Sequence, residues 1–353
     1  MFPRFILAVL LALGGTVSAS QVVFSEVMYN PLAGKPEFIE VENLSATPLD
    51  MARWQFTEGV TFVLPDFSAG ASQAHFLKGF ERLLFSSADD PTTRAAYPGI
   101  PAGVRIFGPW TGSLDNGGEG VTLQDKNGVV VATLNYGDSG HWPVQADGAG
   151  HSLVLADNLR AMDDWRVWRA STARNGSPGL ADPAPAAAGL ALNELHFTAA
   201  SHVDWIELRN NAGTATVSAS GLFVASLEDF SDKIALAGSV VPGAVLSVNT
   251  DFAADGNGDV RLYLIDATDN VRGAVKIRRK PGRESWQNFP AGSAEWYSAV
   301  TDTRDAQNNP ARNTDIVINE IMADPPSNER DGEFVELHNR GGLEVNRACP
   351  PCR

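Results

Sequence analysis

Short runs of alternating apolar and polar residues fill this chain, and one alternating pattern occurs three times. Ser25-Glu26-Val27-Met28 precedes Glu37-Phe38-Ile39-Glu40-Val41-Glu42-Asn43. Asn193-Glu194-Leu195-His196 precedes Asp204-Trp205-Ile206-Glu207-Leu208-Arg209-Asn210, and Asn319-Glu320-Ile321-Met322 precedes Glu333-Phe334-Val335-Glu336-Leu337-His338-Asn339. Each pattern predicts a strand ending in Glu and an apolar residue, a polar loop, and a second strand. Side chains alternate faces along a strand. Ile39 and Val41 therefore share one face, and Phe38 and Glu40 the other; the same division holds for Ile206/Leu208 against Trp205/Glu207 and for Val335/Leu337 against Phe334/Glu336. The copies are widely and unevenly spaced, which predicts whole domains in series rather than solenoid units.

A second internal match follows within the first two copies. Asp115-Asn116-Gly117-Gly118-Glu119-Gly120-Val121-Thr122-Leu123 resembles Asp255-Gly256-Asn257-Gly258-Asp259-Val260-Arg261-Leu262: a glycine-rich loop feeding a strand. The first turns through Lys126-Asn127-Gly128, where Asn-Gly supplies the positive φ of a tight hairpin, into Val129-Val130-Val131. The second turns through Thr268-Asp269-Asn270. No convincing amphipathic helix appears. The prediction is all-β: tandem immunoglobulin-like antiparallel β-sandwiches. A leader spans 1–19, a first domain 20–182, a Pro/Ala linker 183–189, a second, divergent domain 190–304, a polar linker 305–314, and the incomplete start of a third domain 315–353.

Composition agrees with globular domains: 44% of the 353 residues are hydrophobic, 20% are charged, and 33 glycines and 21 prolines punctuate the apolar runs. Arg4, the apolar stretch Phe5–Leu13 and the small residues Val17-Ser18-Ala19 form the three regions of a secretory signal peptide. The stretch is too short for the ~20 residues of a spanning helix. A net charge of -15 opposes binding to nucleic-acid phosphate. Lys276, Arg278, Arg279, Lys280 and Arg283 form a basic cluster around a Pro281-Gly282 turn, read first as a solvated turn and second as an anion or polymer contact. The cysteines, Cys349 and Cys352, fall in the last five residues without the second pair that zinc would need.

At this point the motifs resemble the bacterial lamin-tail domain, an immunoglobulin-like sandwich. Residues 25–43 and their two echoes resemble that family's first two strands, and Arg53-Trp54 its tryptophan strand. Tyr97-Pro98-Gly99, Gly112 to Glu119, Tyr136-Gly137-Asp138, Trp142-Pro143, Ala146 to Leu153, Trp165, Ser171 and Asn175-Gly176-Ser177-Pro178-Gly179 resemble a variant common in large exported bacterial proteins. The resemblance covers nearly all of residues 22–180. The second copy departs from it at Ser220-Gly221-Leu222-Phe223 and lacks the Tyr-Pro-Gly insertion. Such arrays accompany CotH-type kinase-like domains, nucleases and other exported enzymes. The resemblance implies binding or spacing, with no catalytic residue to carry over.

Other motifs suggest chemistry that their surroundings do not support. Gly137-Asp138-Ser139-Gly140 matches the nucleophile segment of trypsin-like proteases, but it continues His141-Trp142-Pro143. His75 also lacks the context of a catalytic base. Asp255-Gly256-Asn257-Gly258-Asp259 has oxygen ligands at alternate positions, yet Val260 stands where a calcium loop needs glycine and Asp266 where it needs glutamate. Glu26 with Glu40 could be paired carboxylates of glycosidase type; their recurrence in every copy favours hydrogen bonds to neighbouring backbone instead. His196 and His202 lack metal-ligand spacing. Trp54, Trp110, Trp142, Trp165, Trp168 and Trp205 read chiefly as core or corner residues that in a cleft could stack on sugars or peptides.

The reading is an exported, non-catalytic binding or scaffold protein with no catalytic residues, cofactor or metal. It is secreted, periplasmic or on the cell surface, and its partner is a protein or polysaccharide rather than nucleic acid; no membrane span is expected after signal cleavage. Two alternatives stand beside it: the truncated, non-catalytic N-terminal portion of a larger exported enzyme, CotH-type kinase-like or hydrolase, and a carbohydrate-binding module. N-terminal sequencing of the native protein is expected to begin at Ser20, and a Met1 start would overturn the export assignment.

Overall fold

The computed structural model describes residues 21–67, 75–185, 189–198, 201–309, 316–323 and 333–341. The expected leader over 1–19 and the Cys349/Cys352 pair lie outside the described residues.

The first sandwich stacks a six-stranded sheet on a four-stranded one. The larger sheet runs, edge to edge, Trp168–Ala170, Leu153–Leu155, Val22–Met28, Phe38–Asn43, Arg82–Ser86 and Arg105–Phe107. The smaller runs Val130–Asn135, Gly120–Gln124, Gln55–Glu58 and Phe62–Val63. Phe24, Ile39, Val41, Leu83 and Phe85 meet Phe56, Val121, Leu123 and Leu134 in the core between them. The predicted face assignment holds, because Ile39 and Val41 point into that core while Phe38 joins Met28, Leu84, Tyr97 and Ile100 in a second cluster.

Two local features depart from the sequence reading. Asp90–Ala96 is a short α-helix, and the strands it connects, Arg82–Ser86 and Arg105–Phe107, pair in parallel within otherwise antiparallel sheets. A parallel pair requires a crossover, and the helix with the following Tyr97-Pro98-Gly99 turn supplies it. Seven residues are too few to display a helical apolar stripe. The local signal is instead Asp89, whose side chain accepts the Thr92 N–H at 2.9 Å, with Pro91 in the first turn.

The second sandwich repeats this plan, without the helix among the described residues. Its five-stranded sheet runs Val245–Ala253, His202–Asn210, Leu190–Phe197, Ser285–Asn288 and Trp296–Ala299; its four-stranded sheet runs Ile234–Ala235, Leu222–Ala225, Asp259–Asp266 and Val271–Arg278. Gly120–Gln124 and Asp259–Asp266, matched by sequence, occupy the same place, each paired with the strand that follows the tryptophan position or its substitute. The segment from Asp305, read from sequence as linker, packs on this sandwich as far as Asn309. Buried Asn308 donates to the carbonyls of Asn193 and Asn288 at 2.8 and 2.9 Å. Asn308 thus serves buried backbone groups, while its neighbours in the segment are exposed.

A β-bulge at the same residue defines all three copies. Register between the first two strands shifts between Phe24 and Glu26, between Leu192 and Glu194, and between Ile318 and Glu320. A bulge sets two residues against one, so inward positions change parity: Val22, Phe24 and then Val27 reach the first core, and Leu190, Leu192 and then Leu195 the second. The bulge residue lies beside the following glutamate and reaches its opposite number. Ser25 Oγ donates to Glu40 at 2.6 Å, Asn193 Nδ2 to Glu207 at 2.6 Å, and Asn319 Nδ2 to Glu336. The motif's last residue closes an Asx turn in each copy, as Asn43, Asn210 and Asn339 accept the N–H two residues on.

The third copy is a two-stranded hairpin, Ile316–Met322 with Phe334–Asn339. Ile318, Ile321, Val335 and Leu337 are 57–64% exposed. A lone hairpin is marginal in water. Amide hydrogens across Ile318 to Leu337 are therefore expected to exchange much faster than those of Ile206 to Leu208; comparable protection would show that the hairpin docks in solution.

Candidate functional site

The motif's glutamates lie opposite one another on adjacent strands, Glu26 against Glu40 and Glu194 against Glu207, and all four are buried. Every carboxylate is engaged by the protein. Glu26 accepts the Ser177 N–H at 2.8 Å, the Ser177 hydroxyl at 3.1 Å and the Ser152 hydroxyl. Glu40 accepts the Gly179 N–H at 2.5 Å and Arg82 Nη1 at 3.0 Å. In the second domain Glu194 accepts the Thr303 N–H at 2.9 Å, the Thr303 hydroxyl at 2.6 Å and the Ser285 hydroxyl at 2.5 Å, while Glu207 accepts the Asp305 N–H at 2.9 Å. Each pair thus holds two N–H groups, two residues apart, in the segment that follows the domain's last strand. Gly176 is required here: its φ is +70°, and a Cβ would come within 2.1 Å of Glu26 Oε1. The carboxylates are latches for a returning segment, with no cleft between them for a sugar.

The remaining candidates are also engaged structurally. Asp138, in the protease-like tetrapeptide, pairs with Lys276 Nζ at 2.7 Å; Ser139 is exposed, and neighbouring His141 stacks on Trp165 at 4.5 Å. His75 packs on Phe76 at 4.2 Å. In the calcium-like loop Asp255 accepts the N–H groups of Asn257 and Asp259, and Asp259 takes both its bonds from Arg278, at 2.7 and 2.8 Å. His196 stacks on Trp205, their rings 3° from parallel, and bonds Asp204 at 2.6 Å, whereas His202 bonds Asp251. Trp54, Trp110, Trp168 and Trp205 are buried as expected, but Trp142 and Trp165 are only half-buried.

What the sequence did not reveal is a built interface between the sandwiches. Val144 and Ala149 of the first pack with Ala225, Phe230, Tyr263, Ile265 and Val271 of the second. Charge reinforces the apolar contact. Arg261 Nη2 lies 2.7 Å from Asp147, Lys276 bridges Asp138 and Asp147, and Arg174 lies 4.4 Å over the Phe230 ring. His151 sits at the centre, fully buried, with Nδ1 2.8 Å from the Ser171 carbonyl and Nε2 accepting the Val271 N–H at 3.1 Å. Those partners fix the neutral Nδ1–H tautomer, and burial pushes the group down to about 4.

Beside this contact the domains form an open cleft of about 470 Å³. It opens between two sheet edges of the second sandwich, Val271–Arg278 and Trp296–Ala299, and the first domain's segment 140–145 forms its other wall. Trp142, Trp286 and Trp296 line it, each half-buried against a core. The sequence reading passed over Trp286 and Trp296. Their signal was Trp286 three residues after Arg283, at the end of the basic cluster.

The architecture is all-β, two immunoglobulin-like sandwiches in tandem. The family model of the Lamin Tail Domain matches residues 16–138, which supports that family for the first sandwich. No curated protein matches the chain.

Burial raises both Glu26 and Glu40 above the ordinary carboxylate range, and Glu40 beside Glu26 adds to the rise there. A raised pKa means the folded state keeps a proton that the unfolded chain has lost. The associated stability is full at acid pH and falls as pH climbs above the ordinary carboxylate range. Urea unfolding is expected to show this loss in the native chain and a flatter alkaline limb in Glu26→Gln. Glu26→Ala, which strands buried donors, is expected to cost about 3 kcal/mol or more. Identical alkaline limbs in native chain and Glu26→Gln would refute the assignment.

Proposed function

We propose that this protein is an exported, non-catalytic scaffold in which two lamin-tail-like sandwiches act as one rigid binding unit. Export rests on the arrangement of Arg4, Phe5–Leu13 and Val17–Ala19. Absence of catalysis is supported by the engagement of Glu26, Glu40, Glu194 and Glu207 in holding backbone. The second sandwich is a divergent copy of the first, supported by the shared bulge and the shared carboxylate latch. The observation that carries the scaffold reading is the interface around His151, where apolar packing, a specific imidazole bond and ion pairs join the domains. Freely hinged domains need none of these, and domain contacts of this kind decide whether relative motion occurs.

Calorimetry tests the reading. A single cooperative transition is expected at pH 7. His151 is depressed to about 4, so docking stability is full above its ordinary value of 6.5 and is lost as pH falls from there toward 4. The loss is on the order of 3 kcal/mol, and the transition is expected to split near pH 4.5. Arg261→Ala leaves buried Asp147 with only the longer Lys276 contact, at 3.6 Å, to offset its charge and is expected to split it at neutral pH. Two separate transitions in the native chain at pH 7 would overturn the rigid-scaffold reading.

A further inference from the structure

We propose that the outer edge of Val245–Ala253 in the second sandwich takes up an extended segment of a partner protein, apolar on both faces and basic in charge, as a parallel sixth strand. This rests on reading the chain as a binding scaffold and names the kind of partner it holds. The first sandwich shows what fills that place. By register with the motif strands, Ser86 down to Arg82 lie against Phe38 to Glu42, and Asn249 down to Val245 lie against Trp205 to Arg209. Leu83, Leu84 and Phe85 therefore correspond to Leu246, Ser247 and Val248. In the first sandwich Arg105, Ile106 and Phe107 pair with those three residues in parallel. Phe107 packs toward the core beside Phe85, with ring centroids 5.7 Å apart, while Ile106 joins Leu84 and Tyr97 on the other face. In the second sandwich the chain passes from Ala253 through one glycine-containing loop directly into the strand at Asp259, and no crossover delivers such a strand.

Burial and backbone bonding mark the place as open. Leu83, Leu84, Phe85 and Ser86 are buried, whereas Leu246, Ser247 and Val248 are half-buried and Asn249 is exposed. The Asn210 N–H donates to the Ala244 carbonyl at 3.0 Å. Alternation from that bond turns the backbone groups of Leu246 and Val248 toward the neighbouring strand and those of Ser247 and Asn249 outward. In the first sandwich the outward carbonyl of Ser86 accepts the Trp110 N–H at 3.2 Å; among the described residues the corresponding carbonyl of Asn249 has no such backbone donor. Val245 to Thr250 contains neither a charged residue nor a proline, the usual means of blocking an edge. Main-chain bonds along such an edge supply affinity, and side chains on alternate faces supply selectivity. A second copy fits poorly. Identical edges related by a two-fold axis pair antiparallel, and chains of net charge -15 repel one another. That charge, with Asp251 exposed on the same strand, favours a segment carrying basic residues.

The test is hydrogen exchange and fluorescence anisotropy on the full chain with a capped peptide of residues 102–108 followed by two lysines. In the chain alone the Ser247 and Asn249 amides are expected to exchange fast, and saturating peptide is expected to slow them roughly tenfold or more. Asn249→Pro removes one outward N–H at an edge position that tolerates proline, and is expected to weaken the peptide roughly tenfold. Asn249→Ala keeps that N–H and is expected to bind as the native chain does. Two glutamates in place of the lysines are expected to weaken the peptide as well. Slow exchange in the chain alone would show the edge already covered, by its own residues or by a second copy, and would overturn the proposal. So would unslowed amides at millimolar peptide, equal binding of the glutamate peptide, or native affinity in a folded Asn249→Pro chain. The exchange results on the native chain stand even where Asn249→Pro does not fold. A native chain that keeps one calorimetric transition but takes up no peptide loses only the edge assignment; one with two transitions loses the rigid-scaffold reading.

Discussion

Two carboxylates face each other on adjacent strands, removed from water, and the rest of each sandwich is arranged around that constraint. Buried like charges repel, and desolvation opposes each charge separately. The arrangement persists because every carboxylate oxygen meets a donor: a hydroxyl from the neighbouring strand, the side chain of the bulge residue, and N–H and hydroxyl groups of a segment returning after the last strand. Arg82 adds a cation to the first pair, bonding Glu40 and Glu42 together. The carboxylates therefore fix where the chain must pass after the sandwich is complete. This explains the acidic residue at both positions, the bulge before the first, and the glycine that lets segment 175–179 approach.

Much of this was legible. Alternation along Phe38–Val41 and Trp205–Leu208 set the faces correctly, because a strand with one face in a core has little freedom of register. Recurrence of both glutamates marked them as structural. The bulge was also written in the sequence, as apolar residues at Val22, Phe24 and Val27, at Leu190, Leu192 and Leu195, and at Ile316, Ile318 and Ile321. A strict period-two reading hides it, since one inserted residue reverses the faces. The returning segments were harder to read. Ser177 to Gly179 and Thr303 to Asp305 contribute mainly backbone N–H groups, which leave only a weak trace in residue identity.

The domain contact was illegible for a different reason. Its parts lie far apart in sequence, with Asp138, Asp147 and His151 on one side and Arg261, Val271 and Lys276 on the other. None belongs to a periodic motif. The basic cluster around Pro281 shows the consequence. As a run of charge it reads as one solvated turn, but the fold divides it: Lys276 is drawn into the interface, Arg278 closes on Asp259, and the Lys280 ammonium lies over the Trp286 ring. Sequence gives the number of cations; which of them are already neutralised depends on topology.

The third hairpin separates what the motif does locally from what the domain does to it. Its register, its bulge, the Asn319–Glu336 bond and the Asx turn at Asn339 match the first two copies, so these features follow from about twenty residues alone. Burial does not follow from them. Glu320 and Glu336 are exposed, as are the aliphatic residues on the opposite face, whereas their counterparts in the sandwiches are enclosed. In the complete domains the second sheet covers the aliphatic face and the returning segment covers the acidic one. A pair of carboxylates that is unremarkable in a solvated hairpin becomes a demanding constraint once both layers close over it. The latch is therefore a property of the closed domain, and the motif alone supplies only its geometry.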